Sequence, residues 1–421
     1  MTNKSRRQFI KNSMVTGGAL MLPTTFLGAF SQAVKSGEKV KLGVIGVGSR
    51  GGYLIQIINS FAENNPFEIV AVCDNYEPNY QKALQLTAGK AKGFYDYRKL
   101  LELKGLDAVI VATPLYQHAH IVIDALESGI HVFCEKAMAR TLADTKKMAE
   151  AHYRTGNILH VGHQRLFDPK YLKGMEMVHN KELGPVTQIR AYWHRNNDWR
   201  RKVPADKPEL ERQINWRLYK EYSCGVMTEL ASHQIQVANW AKKSVPVAVR
   251  GVGSINYWKD GREVYDNVAL IYSYADGTQF IYDSMTSNRH YGLQEQIMGD
   301  KGTLELETNH FFKENPPPPP KPAGIIQLIT DIEKGIFETV PIGGASWRPE
   351  TAVKYQGEVL VEGNNTDGTP EQLKAFAASV LTGNPIPGLF EHGYHASVWT
   401  LLGQQAMDTG ETVTLPGFME I

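Results

Sequence analysis

Between residues 39 and 165, apolar runs alternate with segments whose apolar positions recur at helical spacing. The apolar runs predict strands at 39–47, 67–73, 106–112 and 130–134. Helical spacing follows them at 53–61, around Ala83 and Leu86, at 97–103 and at 118–128. The run LDAVIVA at 106–112 is continuously apolar, as in strands buried on both faces. The alternation therefore predicts an α/β fold with a doubly wound parallel sheet.

After about residue 165 the pattern changes, because several apolar runs now alternate with polar residues at every second position. Strands are predicted at 186–193, 247–257, 268–274, 279–285, 294–298 and 303–307. Asp276-Gly277 is a strong hairpin signal between two of them. This half is predicted to be an α+β domain with an open, mostly antiparallel sheet, one face being solvated or covered by a partner. A late helix begins at Thr369 and ends at Gly383.

The chain begins with a segment that predicts export. Residues 5–11, SRRQFIK, match the S-R-R-x-F-L-K pattern of twin-arginine signals, with Ile in place of Leu. The apolar stretch 14–30 is interrupted by Gly and Pro, so it fits a translocated segment better than a stable spanning helix. We therefore expect a signal peptide and linker over 1–34, recognition by the twin-arginine translocase, a periplasmic location and no stable membrane insertion. The alternative is a disordered basic N-terminus.

Composition narrows the classes of partner. A length of 421 residues is enough for two domains with full cores, and the net charge of +1 argues against nucleic acid. Cys73, Cys134 and Cys224 are an odd number without C-x-x-C spacing, which favours buried thiols over a disulfide framework. The run Pro316 to Pro320 predicts a stiff surface segment. The open sheet face makes a homo-oligomer plausible.

A glycine-rich loop, Gly46-Val47-Gly48-Ser49-Arg50-Gly51, joins the first predicted strand to the first helix. Such a loop lets the backbone approach a pyrophosphate, and the amides of the helix N-terminus supply a positive field. Asp74 ends the next strand and can accept hydrogen bonds from ribose hydroxyls, which favours NAD over a 2′-phosphorylated cofactor. Arg50 could contact that phosphate instead, so NADP stays an alternative. Residues 39–165 are thus predicted to be an NAD(P)-binding Rossmann domain, and 166–421 a domain for substrate binding and oligomerisation.

Three further clusters carry a family resemblance. They are Ala112-Thr113-Pro114 with His118, then Glu135-Lys136-Ala137-Met138, and then Glu229 with His233 at helical spacing. With the glycine loop, they make the chain after its leader resemble the Gfo/Idh/MocA family, the glucose-fructose oxidoreductase and inositol dehydrogenase group. Each motif is short, but the combination is specific.

The resemblance implies particular roles. In that family an E-K-P motif supplies a lysine that reaches both nicotinamide and substrate, and Lys136 occupies its position. A G-G-x-x-x-D-x-G-x-H motif supplies an acid and a catalytic histidine, which correspond to Glu229 and His233. Trp216-Arg217 resembles a pair that contacts the cofactor in related sugar oxidoreductases. The glycine loop and the resemblance together imply cofactor contacts from Gly46, Gly48, Ser49, Arg50, Gly51, Asp74, Thr113, Pro114, His118, Glu135, Lys136, Trp216 and Arg217.

The sequence departs from the family pattern at several positions. Ala137 replaces Pro, Glu229 replaces Asp, Ala231 replaces Gly, and Gln236 stands where many members carry a further Asp. These changes bear on substrate hydrogen bonding. Lys136 and His233 are intact, so we expect the hydride-transfer machinery to be retained.

Elementary chemistry agrees with the implied roles. Oxidation of a secondary alcohol needs a base for the hydroxyl proton while hydride leaves the carbon, and a histidine such as His233 suits this task. An ammonium group at Lys136 would stabilise the developing alkoxide. Glu229 lies one helical turn before His233 and could orient the ring or share substrate hydroxyls.

The segment 190–217 is dense in Trp, Arg, Asn and His. We predict substrate contacts from Trp193, Arg195, Asn197 and Trp199, because indoles cover the C–H faces of a carbohydrate while polar planar groups bind its hydroxyls. A subunit interface is the alternative. His118 and His120 form an H-x-H pair, but acidic or cysteine partners at ligand spacing are absent, so no metal site is predicted.

Three functions compete at this point. The favoured one is an exported oxidoreductase that transfers hydride between NAD(P) and a secondary hydroxyl of a sugar, cyclitol or glycoside. Free nicotinamide cofactors are scarce outside the cytoplasm, so the cofactor should be tightly bound. The second is an NAD-dependent glycoside hydrolase using transient oxidation and elimination, whose known group lacks the lysine found here at Lys136. The third is a non-catalytic carbohydrate-binding protein.

Overall fold

The computed structural model describes residues 37–314, 357–363 and 366–420, and the predictions for 1–34 and for Pro316 to Pro320 lie outside these residues. Within them the chain forms a six-stranded sheet and a nine-stranded sheet. The predicted α/β fold is confirmed.

The first sheet is parallel throughout, with strand order β3-β2-β1-β4-β5-β6. Its strands are β1 (Val40–Ile45), β2 (Phe67–Cys73), β3 (Lys92–Phe94), β4 (Ala108–Val111), β5 (His131–Cys134) and β6 (Leu159–Val161). Its helices are α1 (Ser49–Ser60), α2 (Glu77–Leu86), α3 (Tyr97–Leu101), α4 (His118–Glu127) and α5 (Leu142–Thr155). The order reverses between β1 and β4, and a crevice opens there at the carboxyl ends of the strands.

Both faces of this sheet are covered, which explains the continuously apolar strands. Along β4, Val109 and Val111 enter one core cluster, whereas Ala108 and Ile110 enter another on the opposite face. All four residues are fully buried. The predicted doubly wound arrangement follows from this burial pattern.

The second sheet has the order β14-β13-β12-β11-β7-β10-β9-β8-β15. Its strands are β7 (Val186–His194), β8 (Ala248–Ser254), β9 (Asn267–Ser273), β10 (Gln279–Met285), β11 (Leu293–Gly299), β12 (Gly302–Glu305), β13 (His310–Lys313), β14 (Glu358–Val359) and β15 (Val413–Thr414). The associated helices are α6 (Pro169–His179), α7 (Glu211–Ile214), α8 (Ser232–Lys242), α9 (Thr369–Thr382) and α10 (Leu389–Thr409). Only the pairing of β10 with β7 is parallel in the described part of this sheet, so the mostly antiparallel prediction is confirmed.

One face of the second sheet is buried and the other is open. Leu270 and Tyr272 of β9 point into the core, where α10 covers them, and both are almost fully buried. Ile271 on the same strand is 47% exposed. Alternation of this kind is the pattern expected for an antiparallel sheet with one solvated face.

The last two helices connect the two sheets. Leu373 and Phe376 of α9 belong to the core cluster formed by β1 and α1, so α9 packs on the first sheet although it lies late in the chain. On α10, Gly393 lies against Val161 of β6 and Gly403 lies against Tyr272 of the second sheet, with no room for a side chain at either glycine. The predicted boundary at residues 165 and 166 therefore separates the sheets but not the helices that cover them.

Two smaller findings concern the rest of the described chain. None of its helices is long and apolar enough to span a bilayer. Cys73, Cys134 and Cys224 are free and buried, as expected from the sequence, and burial raises the pKa of each thiol.

Candidate active site

The glycine loop lies between β1 and α1, and each glycine has a distinct reason to lack a side chain. Gly46 has a positive φ of 86°, and a Cβ there would lie 2.7 Å from the backbone nitrogen of Thr113. A Cβ at Gly51 would overlap the carbonyl oxygen of Gly46. At Gly48, in contrast, the nearest atom to an added Cβ is Asn79 Nδ2 at 3.8 Å. The backbone at Gly48 is therefore bare towards open space, as phosphate binding requires.

Asp74 stands at the end of β2 and braces this loop. One carboxylate oxygen accepts a hydrogen bond from the Val47 amide at 2.8 Å, and the other accepts from the Tyr76 amide at 2.9 Å. Burial raises the pKa of Asp74, although these hydrogen bonds oppose the shift. Asp74 thus shapes the loop as well as lining the cavity in which a ribose would lie.

Three adjoining cavities follow the carboxyl edge of the first sheet, with volumes of about 250, 150 and 260 Å³. The first lies by Asp74 and Tyr97, the second by the glycine loop, and the third by Lys136 and His233. Thr113 lines all three. We call this continuous opening the dinucleotide cleft, because its position at the reversal of strand order and its bare glycine loop fit an extended dinucleotide.

All of the predicted cofactor residues except Gly51 line this cleft, and two of them, Arg50 and His118, are also bonded to protein partners. Arg50 Nε donates to the carboxylate of Glu135 at 2.7 Å, which directs the side chain towards the third cavity. The ring nitrogens of His118 lie 3.0 Å from the carbonyl oxygens of Thr113 and Ala137. A neutral imidazole donates to only one of them. Because burial lowers the pKa of His118, we assign this ring a positioning role between two cleft segments.

At the third cavity, Lys136 Nζ donates to the backbone carbonyl of Glu229 at 2.8 Å. The Glu229 carboxylate accepts from Arg217 Nε at 2.7 Å, and the Arg217 guanidinium lies 4.2 Å from the centre of the Trp216 ring. Burial lowers the pKa of Lys136. Burial alone would raise the pKa of Glu229, but the charges of Arg217 and Lys136 outweigh it and hold this pKa below its ordinary value.

His233 lies in the first turn of α8, directly after a π-helical turn at Met227–Ala231. Its side chain is almost fully buried, and its Nδ1 has no hydrogen-bond partner in the described part of the chain. The Glu229 carboxylate bonds to Arg217 instead, so the idea that it orients this ring by a hydrogen bond is not supported. Burial, followed by the charges of Lys136 and Arg165, lowers the pKa of His233 well below its ordinary value. The ring is therefore neutral at pH 7 and able to accept a proton.

Of the four predicted substrate residues, the structure brings only Trp193 next to the candidate catalytic groups. Its ring centroid lies 5.9 Å from that of His233. Arg195 stacks on Trp193 at 4.8 Å, and Asn197 accepts a hydrogen bond from the Trp199 amide at 2.6 Å. None of the four is among the residues that line the three cavities.

Sequence reasoning missed other residues at this site. Gln164 lines the third cavity, and the His163 ring lies 5.8 Å from that of His233. Burial lowers the pKa of His163 to about 3. Both residues follow β6, so the rule that carboxyl ends of parallel strands meet at one edge would have found them, had this short strand been predicted. Arg201 and Gln213 line the second cavity from the other sheet's domain.

Family comparison is consistent with this geometry. Residues 40–163 match the oxidoreductase family with an NAD-binding Rossmann fold, GFO_IDH_MocA, and residues 171–305 match the GFO/IDH/MocA C-terminal domain. Together these matches cover more than half of the chain. The protein belongs to this family of NAD-binding oxidoreductases.

Relatives in sequence include dehydrogenases and a hydrolase. The chain is 25% identical to inositol 2-dehydrogenase of Salmonella typhimurium over 277 residues, covering 64% of this chain and 74% of the relative. It is 23% identical to scyllo-inositol 2-dehydrogenase (NAD(+)) of Bacillus subtilis, covering 64% of this chain and 75% of the relative. A glycosyl hydrolase family 109 protein of Stenotrophomonas maltophilia is 28% identical over 200 residues, which is 45% of this chain and 42% of the relative.

Solved structures share the fold. Levoglucosan dehydrogenase in complex with NADH and levoglucosan superposes with a TM-score of 0.68 at 18% identity, covering 90% of this chain and all of that one. The WlbA dehydrogenase from Bordetella pertussis, in complex with NADH and UDP-GlcNAcA, gives 0.67 at 20% identity, covering 90% and 98%.

Proposed function

We propose that the protein transfers hydride between a bound nicotinamide dinucleotide and a secondary hydroxyl of a sugar, cyclitol or glycoside. The observation that carries this is the placement of Lys136, Glu229 and His233 around one cavity beside the glycine loop. The relatives named as inositol dehydrogenases support the substrate class. The fold shared with an enzyme bound to levoglucosan is consistent with it.

The dinucleotide fits the cleft. The bare backbone at Gly48 would face the pyrophosphate, Asp74 and Asn75 would face a ribose, and Trp216 lines the segment between the glycine loop and Lys136. When bound, NAD supplies the hydride acceptor.

The side chains around the third cavity then divide the remaining work. Neutral His233 accepts the hydroxyl proton at a ring nitrogen as the carbon loses hydride. The ammonium of Lys136, held by the Glu229 carbonyl, stabilises the negative charge that develops on the same oxygen. Burial of both groups excludes bulk water and strengthens these interactions.

A second candidate function is the NAD-dependent glycoside hydrolase, favoured by the glycosyl hydrolase family 109 relative. In that reaction the ring carbon is oxidised transiently, the aglycone is eliminated, water adds and hydride returns, so no net reduction of NAD occurs. Lys136 favours the dehydrogenase, because the known hydrolase group lacks this lysine.

One experiment separates the candidates. Nucleotide released from purified protein is identified by mass spectrometry, and the protein is then assayed with sugars, cyclitols and aryl glycosides. A rise in nicotinamide absorbance with a free sugar or cyclitol is expected. Release of the aryl group without net NADH would support the hydrolase instead, and neither signal across the panel would favour a binding protein.

We also propose that the protein is exported and keeps its cofactor. The SRRQFIK motif at 5–11 supports passage through the twin-arginine translocase to the periplasm, a route that carries folded proteins. Replacing both Arg6 and Arg7 by Lys should leave the protein in the cytoplasm in cell fractionation.

The bound cofactor should stay with the protein through gel filtration, and a cofactor-free preparation with weak NAD affinity would contradict tight binding. The same column should give a homo-oligomer, which the exposed Ile271 face supports.

A further inference from the structure

The loop between β7 and α7 of the second domain reaches across to the glycine loop. Arg201 Nη2 donates a hydrogen bond to the hydroxyl of Ser49 at 3.0 Å, and Ser49 is the first residue of α1. Both residues line the second cavity, as does Gly48, where the backbone is bare. A cation from one domain therefore lies beside the phosphate-facing end of a helix in the other.

This cation is placed with no acidic partner. Among the residues that the structure describes, Arg201 has no ion pair, and its side chain donates a hydrogen bond only to Ser49. Arg217 lines the same cavity. Burial, followed by the charge of Arg217, lowers the pKa of Arg201, although the charge of Glu229 opposes this shift. The end of α1 that Arg201 faces also carries positive partial charge. An anion at this position would relieve both repulsions.

The backbone of Arg201 is fixed by a buried amide. Asn215 is almost fully buried, its oxygen accepts from the Arg201 amide at 2.6 Å, and its nitrogen donates to the Arg201 carbonyl at 3.1 Å. The neighbouring Arg200 differs, because it forms ion pairs with Glu211 and Asp260. Arg200 thus anchors the loop, while the Arg201 guanidinium forms no ion pair with any residue that the structure describes.

We propose that Arg201 binds the pyrophosphate of the dinucleotide from the second domain and controls how fast the cofactor is released. The inference rests on the proposed function, since it needs a dinucleotide in the cleft. The dinucleotide would then be held between the glycine loop and the Arg201 loop. Release requires loss of the bond from Arg201, which gives tight retention a structural cause that the glycine loop alone does not supply.

The test measures nucleotide binding rather than turnover. Protein stripped of nucleotide is titrated with NADH, NADPH and ADP-ribose, and NADH release is followed by fluorescence after addition of excess NAD. Arg201→Ala should release NADH roughly 10- to 100-fold faster. It should lower the affinity for ADP-ribose by the same factor, as expected for a charged hydrogen bond. Arg201→Lys should lie between. The exposed neighbour Lys202→Ala, which removes the same charge, should match the original protein.

The outcomes are distinguishable. If the original protein binds NADH and Arg201→Ala releases it at the same rate, this inference is wrong while the proposed function stands. If Arg201→Ala weakens the binding of NADPH alone, Arg201 binds a 2′-phosphate and the pyrophosphate assignment is wrong. If the original protein binds neither NADH nor ADP-ribose, the proposed function fails and this inference with it.

Discussion

Arg217 donates to the carboxylate of Glu229 at 2.7 Å while its guanidinium lies on the Trp216 ring. The carboxylate that the family motif provides is therefore bound to an arginine of the cofactor wall, whereas the carbonyl of the same Glu229 holds Lys136. One residue thus connects the wall of the cleft to the candidate catalytic lysine.

Removing the charge of Glu229 should affect Lys136 and Arg217 together. Glu229→Gln removes the carboxylate charge that pairs with Arg217 and favours the charged form of Lys136, so we expect turnover to fall by about 10- to 100-fold, the range of a lost buried charge interaction. Steady-state kinetics on Glu229→Gln, Arg217→Met and the double variant measure the coupling. Strictly additive effects would show that the 2.7 Å pair carries no coupling.

Lys136 and His233 should be needed for turnover but not for folding. Lys136→Met and His233→Asn are each expected to lower kcat by about 10²- to 10⁴-fold, the contribution of a positioned acid or base. The exposed Lys147→Met on α5 is the matched control. Unfolding midpoints should stay close to that of the original protein, and unchanged turnover in both variants would remove the site assignment.

The low pKa of His233 makes a prediction about pH. A base must be deprotonated to act. Because burial lowers the pKa of His233 well below its ordinary value of 6.5, the ring stays neutral at pH values below 6.5. The acidic limb of kcat/KM for alcohol oxidation should therefore have its midpoint below pH 6.5. A midpoint at or above this value would contradict the assignment of His233 as the base.

Two glycines of the loop should respond in opposite ways. The nearest atom to a Cβ added at Gly48 lies 3.8 Å away, so Gly48→Val should fold normally. It should lower the affinity for NADH by about 100-fold, because the side chain would fill the space in which the pyrophosphate binds. Gly51→Ala should instead lower the free energy of unfolding by about 1–3 kcal/mol, because the added Cβ overlaps the carbonyl oxygen of Gly46. Urea unfolding and NADH titration of both variants check this contrast, and equal NADH affinity in Gly48→Val would contradict it.

A buried histidine away from the cleft should make stability depend on pH. His160 is enclosed by Phe133, Phe167 and Phe376, and burial lowers its pKa from 6.5 to about 3. Between these values the unfolded chain binds a proton and the folded chain does not, so stability falls as pH decreases below 6.5. His160→Phe should reduce this slope by up to about 1.4 kcal/mol per pH unit. Urea unfolding at pH 4.5–6.5 measures it, and an unchanged slope would exclude His160 as a cause.

Much of the fold could be predicted from local pattern. The ranges predicted for β2 and β10 coincide with those observed, since strong apolar or alternating runs and turn signals bound both. The three-residue β6 was missed because so short a strand gives no periodicity. The two-residue β14 pairs with β13 across a long separation in sequence, which no local pattern encodes.

The site divides in the same way. Lys136 and His233 could be found because each lies in a short motif of fixed spacing. The bond between Arg217 and Glu229 could not, since it depends on the π-helical turn that sets where Glu229 points. The contact of Arg201 with Ser49 depends on a loop whose backbone is bonded to Asn215, and residue spacing alone does not predict this contact.

The packing of α9 determines when this protein can finish folding. Leu373 and Phe376 are fully buried against the strand and helix that flank the glycine loop. During synthesis, part of the apolar surface of the first sheet stays exposed until residues 369–382 have left the ribosome. A fragment ending at residue 165 would keep that surface exposed and is expected to aggregate. The nucleotide can therefore enter a finished cleft only after nearly the entire polypeptide has been made.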